Sequence, residues 1–291
     1  MKPNELNALI SLLDDPDEVV FTQIKSKIVS LGHDVIPVLE NAWEHSFDPL
    51  LQTRIENIIH TIQFQKIAED LREWAQNPHG SLLEGAILVA QYQYPDLDIA
   101  KFHKQLEQIK HDVWLELNDH LTALEKTRVL NHILFEVHLF SGNTANYYAP
   151  QNSYINNVLE SKKGNPLSLS IIYAIVAQSL GLPIYGVNLP EHFVLAYKDE
   201  TEFPAALTNE ENKTRILFYI NPFSRGAVFS RREIDAFLKQ LKKEPAAEFY
   251  TACSNLDIIK RLLRNLINSY EKLGYPDKGE ELQSLLNSIS L

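Results

Sequence analysis

The sequence is poor in the residues that mark several common classes of protein. It contains one cysteine, Cys253, so no disulfide can form within the chain, which fits a reducing cytoplasm. No histidine or cysteine follows the spacing of a zinc site, and no glycine-rich phosphate-binding or dinucleotide-binding motif occurs. The first residues lack the apolar segment of a signal peptide. We therefore expect a cytoplasmic protein that holds no metal and no cofactor.

Positive charge is also in short supply. Lysine and arginine number 27 against 38 acidic residues, which gives a net charge of −11. Nonspecific binding to nucleic acid, or to an anionic membrane surface, requires a basic face. We expect neither partner. The 291 residues, of which 45% are hydrophobic and 22% charged, are typical of a globular protein with one large domain or two ordinary ones.

Charged residues are absent from one long stretch, between Gly164 and Glu191. Asn165 followed by Pro166 suits the start of a helix, and Gly181 suits its end. About 16 residues at roughly 1.5 Å each give about 24 Å, which is too short to span a bilayer. Since charges are rarely buried without a partner, the stretch predicts a helix in the centre of a core.

Three apolar runs after this helix predict strands, at residues 184–187, 192–197 and 216–220. Residues 199–214 are polar and predict a surface excursion between the last two strands. If those strands pair antiparallel without a bulge, and with Phe193 opposite Ile220, then His192 faces Asn221. This assumed register places an imidazole beside a side-chain amide at one edge of the sheet.

Amphipathic helices are predicted on both sides of this region. Residues 1–78 contain two or three short helices that resemble a HEAT-type pair; a plain helical subdomain is the favoured interpretation, and a protein-binding surface is the alternative. The last two helices, joined by the turn at 274–277, resemble one tetratricopeptide unit. A single unit of this kind serves either as a cap on the domain or as part of a peptide-binding surface.

The central stretch resembles the transglutaminase-like superfamily, which has a papain-type architecture. The match is carried by Pro150, Asn152-Ser153-Tyr154, Gly164-Asn165-Pro166, Ser168-Leu169-Ser170, Gly181-Leu182-Pro183, Pro190 and His192-Phe193. This set is similar to a SirB-type branch that couples the domain to tetratricopeptide-type repeats. The resemblance implies an α+β, mainly helical fold with a small antiparallel sheet. It divides the chain into a HEAT-like segment (1–78), a transglutaminase-like core (79–245) and a helix pair (246–291).

Active members of that superfamily have a cysteine at the helix start, followed by a histidine and an aspartate on adjacent strands. Here the cysteine position, counted back from Gly181, falls on Pro166, so thiol chemistry is excluded there. His192 is either a structural histidine or the remnant base. Asn221 stands where the SirB-type pattern has an aspartate, and it can orient an imidazole but cannot stabilise an imidazolium by charge. Glu191 stands where the pattern has a glycine.

Ser168 and Ser170 are the substitute nucleophiles that the sequence offers. Ser168 points about 200° around the helix from residue 166, so a hydrogen bond in the first turn is its expected role. Asn152 and Asn165 complete the predicted cleft with Pro166 and Glu191. Cys253 lies outside every matching motif and is expected to behave as a small buried hydrophobic residue.

Three functions remain open at this point. The leading hypothesis is a non-catalytic transglutaminase-like protein that acts in protein interaction or regulation, with a protein partner not yet identified. The second is a serine-dependent amide hydrolase or acyltransferase that uses Ser168 or Ser170 with His192 and Asn221. The third is a module that binds a peptide or small molecule in the predicted cleft. The sequence alone fixes neither a substrate nor an oligomeric state.

Overall fold

A computed structural model describes residues 3–77, 80–199 and 214–290. Contacts divide the chain into two compact units, Met1–Glu73 and Trp74–Leu291. The predicted class, mainly helical α+β with a small antiparallel sheet, is confirmed. The finer division at residues 78 and 245 stays a prediction. Most of the predicted excursion at 199–214 lies outside the described residues.

The first unit is built from helices. They are α1 (Pro3–Ile10), α2 (Glu18–Val29), α3 (Ile36–His45) and α4, which begins at Pro49 and runs to Gln76. Asp17 caps α2, because its carboxylate accepts a hydrogen bond from the backbone N–H of Val19 at 2.8 Å. Arg54, only 7% exposed, donates hydrogen bonds to the carbonyl oxygens of Leu13 and Asp15 at 2.7 and 2.8 Å. Its guanidinium therefore ties α4 to the loop before α2.

The second unit contains the remaining described helices. They are α5 (Leu82–Gln93), α6 (Ile99–Glu116), α7 (Ala123–Asn131), α8 (Ile155–Ser161), α9 (Pro166–Ser179), α10 (Arg231–Gln240), α11 (Asn255–Leu273) and α12 (Pro276–Ser288). After α7 the chain continues as a π-helix at His132–Val137. The apolar spacing of the sequence did not predict this π-helix. In the described ranges no helix is both long and apolar enough to cross a membrane.

Helix α9 occupies the centre of the second unit. Eleven of its fourteen residues are buried, on every side of the helix. It contacts the neighbouring helices α6 and α8 and the sheet beside them. The prediction of a core helix from the absence of charge is confirmed.

Two small sheets flank α9. The short strands β1 (Ser141–Gly142) and β2 (Lys163–Gly164) pair in parallel. The larger sheet is antiparallel, in the order β3 (Ile184–Leu189), β4 (His192–Lys198), β5 (Ile216–Asn221) and β6 (Ala227–Phe229). Its β3–β4 hairpin ends in the tight turn that carries Glu191.

The register assumed from the sequence is wrong. Leu195, not Phe193, pairs with Ile220, and the ladder shifts again at Tyr197 and Lys198. A long connection between two strands does not set their register, whereas a tight turn does. The error is two residues, so each side chain stays on the face that was predicted for it. This is why His192 still lies beside Asn221, diagonally rather than directly opposite.

Substitution by alanine should change the stability of the protein in opposite directions at two glycines. A Cβ on Gly142 would lie 2.5 Å from the ring of Phe223, whereas a Cβ on Gly279, within α12, meets nothing closer than 3.6 Å. We expect Gly142→Ala to lower the free energy of unfolding by about 1–3 kcal/mol through overpacking. Gly279→Ala should raise it by about 0.5–1 kcal/mol through helix propensity. Urea unfolding followed by circular dichroism measures both, and a Gly142→Ala protein as stable as the wild type would contradict the tight packing of β1.

Candidate functional site

A cleft of about 360 Å³ opens where the start of α9 meets the start of β4. Its walls come from the start of α9, the β3–β4 turn, the loop before α8 and one face of α11. The lining residues are Tyr147, Tyr148, Asn165, Pro166, Leu167, Glu191, His192, Phe193, Arg261, Asn265, Asn268, Ser269 and Lys272. Of the predicted site residues, the structure brings Asn165, Pro166, Glu191 and His192 together here.

The start of α9 is held by a reciprocal cap between Asn165 and Ser168. The Oδ1 of Asn165 accepts the backbone N–H of Ser168 at 2.9 Å, and the Oγ of Ser168 accepts the backbone N–H of Asn165 at 3.0 Å. Pro166 is the first helical residue and faces the cleft. It has no N–H and no polar atom in its side chain, so it can neither attack a carbonyl nor donate a proton.

The two candidate serines do not line this cleft. Ser168 is 1% exposed, and its hydroxyl belongs to the cap just described. Ser170 is fully buried, and its Oγ donates to the carbonyl oxygen of Pro166 at 2.7 Å. Both hydroxyls are therefore used by the first turns of α9. The geometry does not favour either serine as a nucleophile.

His192 is half-buried, and its ring lies 6.2 Å from that of Phe237. Burial lowers its pKa, the side-chain hydrogen bond with Asn221 acts in the opposite direction, and the positive charge of Arg261 lowers the pKa further. The imidazole is therefore neutral at pH 7. Asn221 also accepts the backbone N–H of Ser224 at 3.3 Å, which fixes its amide. A neutral, oriented imidazole could accept a proton if a nucleophile stood beside it.

Asn152 was predicted as a cleft residue, but the structure places it beneath the loop that forms one wall. It is 3% exposed, and its Nδ2 donates to the carbonyl oxygens of Asn146 and Tyr147 at 2.7 and 3.0 Å. Its Oδ1 accepts a hydrogen bond from Asn143 at 2.9 Å. The amide thus holds Tyr147 and Tyr148 over the cleft without lining it.

Residues 100–264 match the family described as the transglutaminase-like superfamily, which is more than half of the chain. The chain belongs to this superfamily. Helix α9, strands β3–β5 and the first half of α11 of this transglutaminase-like protein lie inside the matched residues.

Individual relatives match at lower similarity. The chain is 25% identical to mouse (Mus musculus) F-box only protein 21 over 262 residues, which are 80% of this chain and 39% of that protein. It is 37% identical to a UPF0162 protein of Xylella fastidiosa over 114 residues, 39% of this chain and 41% of that one. A UPF0162 protein of Pseudomonas aeruginosa matches at 25% over 69% of each chain. The chain spans about two fifths of the length of the first two. No solved structure is significantly similar.

Glu191 of this transglutaminase-like protein has a left-handed backbone, with φ of 56°. Such a conformation suits glycine, which is the residue that the SirB-type pattern has at this position. The glutamate therefore carries a backbone cost and places a carboxylate at the rim of the cleft.

Helix α11 supplies functional residues that the sequence reasoning missed. The residues that it contributes to the cleft are Arg261, Asn265, Asn268, Ser269 and Lys272, which recur at helical spacing. The sequence signal was a polar face opposite an apolar one, which also describes an ordinary solvated helix. Among the described residues no hydrogen bond joins the hydroxyl of Ser269 to His192, and no cluster of residues suited to a metal ion occurs.

We predict that Asn152→Ala lowers the free energy of unfolding by about 1–3 kcal/mol, because it leaves buried carbonyl groups without their donor. Asn146→Ala is the matched control, since Asn146 is exposed and contributes its backbone carbonyl to this network. Urea unfolding measures the stability of both variants. Equal stability of the two variants would show that Asn152 does not hold the loop.

Proposed function

We propose that this protein is a non-catalytic member of the SirB-type branch, and that its cleft binds a peptide segment of a partner protein in interaction or regulation. One observation carries the proposal. Pro166 lines the cleft at the start of α9, where an active member would present its nucleophile, and His192 lines the same cleft.

The two serines that follow Pro166 on α9 support the same proposal. Ser168 and Ser170 are buried in hydrogen bonds of α9 itself. Asn221 replaces the carboxylate that would stabilise a positively charged imidazole during proton transfer. Because neither serine of α9 is placed for attack and no carboxylate stabilises a charged imidazole here, binding is the function that this arrangement supports best.

The lining of the cleft suits an extended peptide. Asn165, Asn265 and Asn268 offer amide donors and acceptors that can pair with a peptide backbone. Tyr147 and Tyr148 form an aromatic wall in which the two rings meet edge to face, with centroids 5.2 Å apart. In this proposal the tetratricopeptide-like pair α11–α12 acts as the wall of one cleft and not as a separate binding array.

A cysteine at position 166 would show whether the site keeps the layout of an active member. In a Cys253→Ala background, Pro166→Cys is the only thiol of the chain. We expect its pKa to lie at least about one unit below the ordinary value of about 8.5, because the helix start favours the thiolate and the neutral imidazole of His192 can take the proton of the thiol. The rate of alkylation by iodoacetamide as a function of pH measures this pKa.

The added variant His192→Ala should return the thiol pKa towards about 8.5. The wild-type protein is a further control, because burial raises the pKa of Cys253 to about 12 and should leave it unreactive. An ordinary thiol pKa at position 166, or a lowered pKa that does not change in the His192→Ala variant, would show that His192 does not act on the helix start. Either result would remove the basis of the proposal.

Catalysis itself can be tested directly. We expect no hydrolysis and no transamidation of a random heptapeptide library incubated with the wild-type protein, as judged by mass spectrometry. Turnover that disappears in His192→Ala would defeat the proposal. The variants Ser168→Ala, Ser170→Ala and Ser269→Ala would then identify the hydroxyl responsible.

A further inference from the structure

Arg261 lies between two clefts. A second cleft of about 650 Å³ opens on the other side of the β3–β4 turn, and it is lined in part by Asn188, Leu189 and Cys253. Three residues line both clefts, namely Glu191, Arg261 and Asn265. Arg261 thus belongs to the walls of both clefts.

Among the residues that the structure describes, the positive charge of Arg261 has no carboxylate partner. Its Nη1 donates to the side-chain oxygen of Asn188 and, at 2.6 Å, to the carbonyl oxygen of Leu189. Both acceptors are neutral. Within the described ranges no acidic residue forms an ion pair with it, and its other nitrogens make no hydrogen bond. Buried or half-buried charges are normally paired, so a guanidinium that keeps free donors at a cleft is a binding feature.

The surroundings of Arg261 orient it for an anion. The ring of Phe193 lies 5.6 Å from the guanidinium carbon and limits its movement on one side. The two hydrogen bonds through Nη1 fix the plane of the group from the other. A planar guanidinium held in this way is well suited to a two-point hydrogen bond with a carboxylate.

Other charges near the clefts are mixed. Lys272 lines the first cleft, and Lys243 and the exposed Arg264 line the second. Glu248 and Asp257 also line the second cleft, but neither forms an ion pair with Arg261 among the described residues. Glu191 is the acid common to both clefts, and it too stays apart from the guanidinium.

We propose that Arg261 binds the side-chain carboxylate of a glutamate or aspartate within an extended peptide segment of the partner. The two clefts that meet at Arg261 let a chain continue in both directions, which favours an internal acidic residue over a chain end. This inference rests on the proposed function, because it names the ligand chemistry of the same cleft.

Two peptide libraries test the inference. Both contain acetylated, amidated heptapeptides with uncharged random residues around a fixed centre, which is glutamate in one and glutamine in the other. We expect the wild-type protein to bind the glutamate library at least about tenfold more tightly, because a charge-assisted two-point hydrogen bond replaces a neutral one. Fluorescence anisotropy of labelled libraries measures the dissociation constants, and this comparison needs no variant.

Variants assign the preference to one residue. Arg261→Gln should abolish the preference for glutamate, and Arg261→Lys, which keeps the charge but loses the planar group, should retain only part of it. Arg232→Gln is the matched control, because Arg232 is an exposed arginine of α10 that lines neither cleft, and it should leave the preference intact. Glu191→Gly should strengthen binding of the glutamate library, because it removes a like charge. Circular dichroism verifies that each variant is folded.

The outcomes separate this inference from the proposed function. Equal affinity for the two libraries, or a preference that survives Arg261→Gln, overturns the inference and leaves peptide binding in place. A glutamine-centred library with a free terminal carboxylate that binds as tightly as the glutamate library overturns the assignment to an internal residue. Absence of saturable binding by every library overturns both proposals. Hydrolysis of a bound library overturns only the non-catalytic function.

Discussion

The cap at the start of α9 is the interaction on which the rest of the site depends. A helix leaves its first N–H groups without partners, and here the helix is buried, so water cannot supply them. At this position Asn165 provides hydrogen-bond partners with both its side chain and its backbone. Its Oδ1 accepts the N–H of Ser168, its Nδ2 donates to Ser153 at 2.9 Å, and its backbone N–H is shared between Ser168 and the carbonyl oxygen of Asn152. The helix start and the loop before α8 are therefore fixed together.

This solution has a chemical consequence. A hydroxyl that satisfies a buried N–H cannot be released for attack on a substrate without a cost of about 1–3 kcal/mol. Ser168 is used in this way, and Ser170 is bonded to the carbonyl oxygen of Pro166 one turn earlier. The stability of the central helix and a serine-based mechanism thus compete for the same atoms, and the structure uses them for stability.

The sequence predicted the helices and strands better than it predicted how they pack and pair with one another. The absence of charge between Gly164 and Glu191 was enough to locate α9, because burying a charge costs more than any local propensity. The strands followed from their apolar runs. The register of β4 on β5 did not, since the long link between them sets no constraint. The polar face of α11 was equally undetermined, because sequence spacing does not distinguish a face that lines a cleft from one that faces solvent.

Two departures from the family pattern, Pro166 and Asn221, also fit a neutral His192 electrostatically. An active site of this kind forms a thiolate and an imidazolium, and it needs a carboxylate to stabilise the latter. Pro166 removes the anion, and burial keeps His192 neutral, so an amide at Asn221 is sufficient to hold the ring. Because none of these groups carries a charge at neutral pH, the fixed charges left in the cleft come from Glu191, Arg261 and Lys272. Among these, Arg261 is held by hydrogen bonds to neutral acceptors and has no counter-ion within the described part of the chain, so an uncompensated positive charge of the cleft lies on α11.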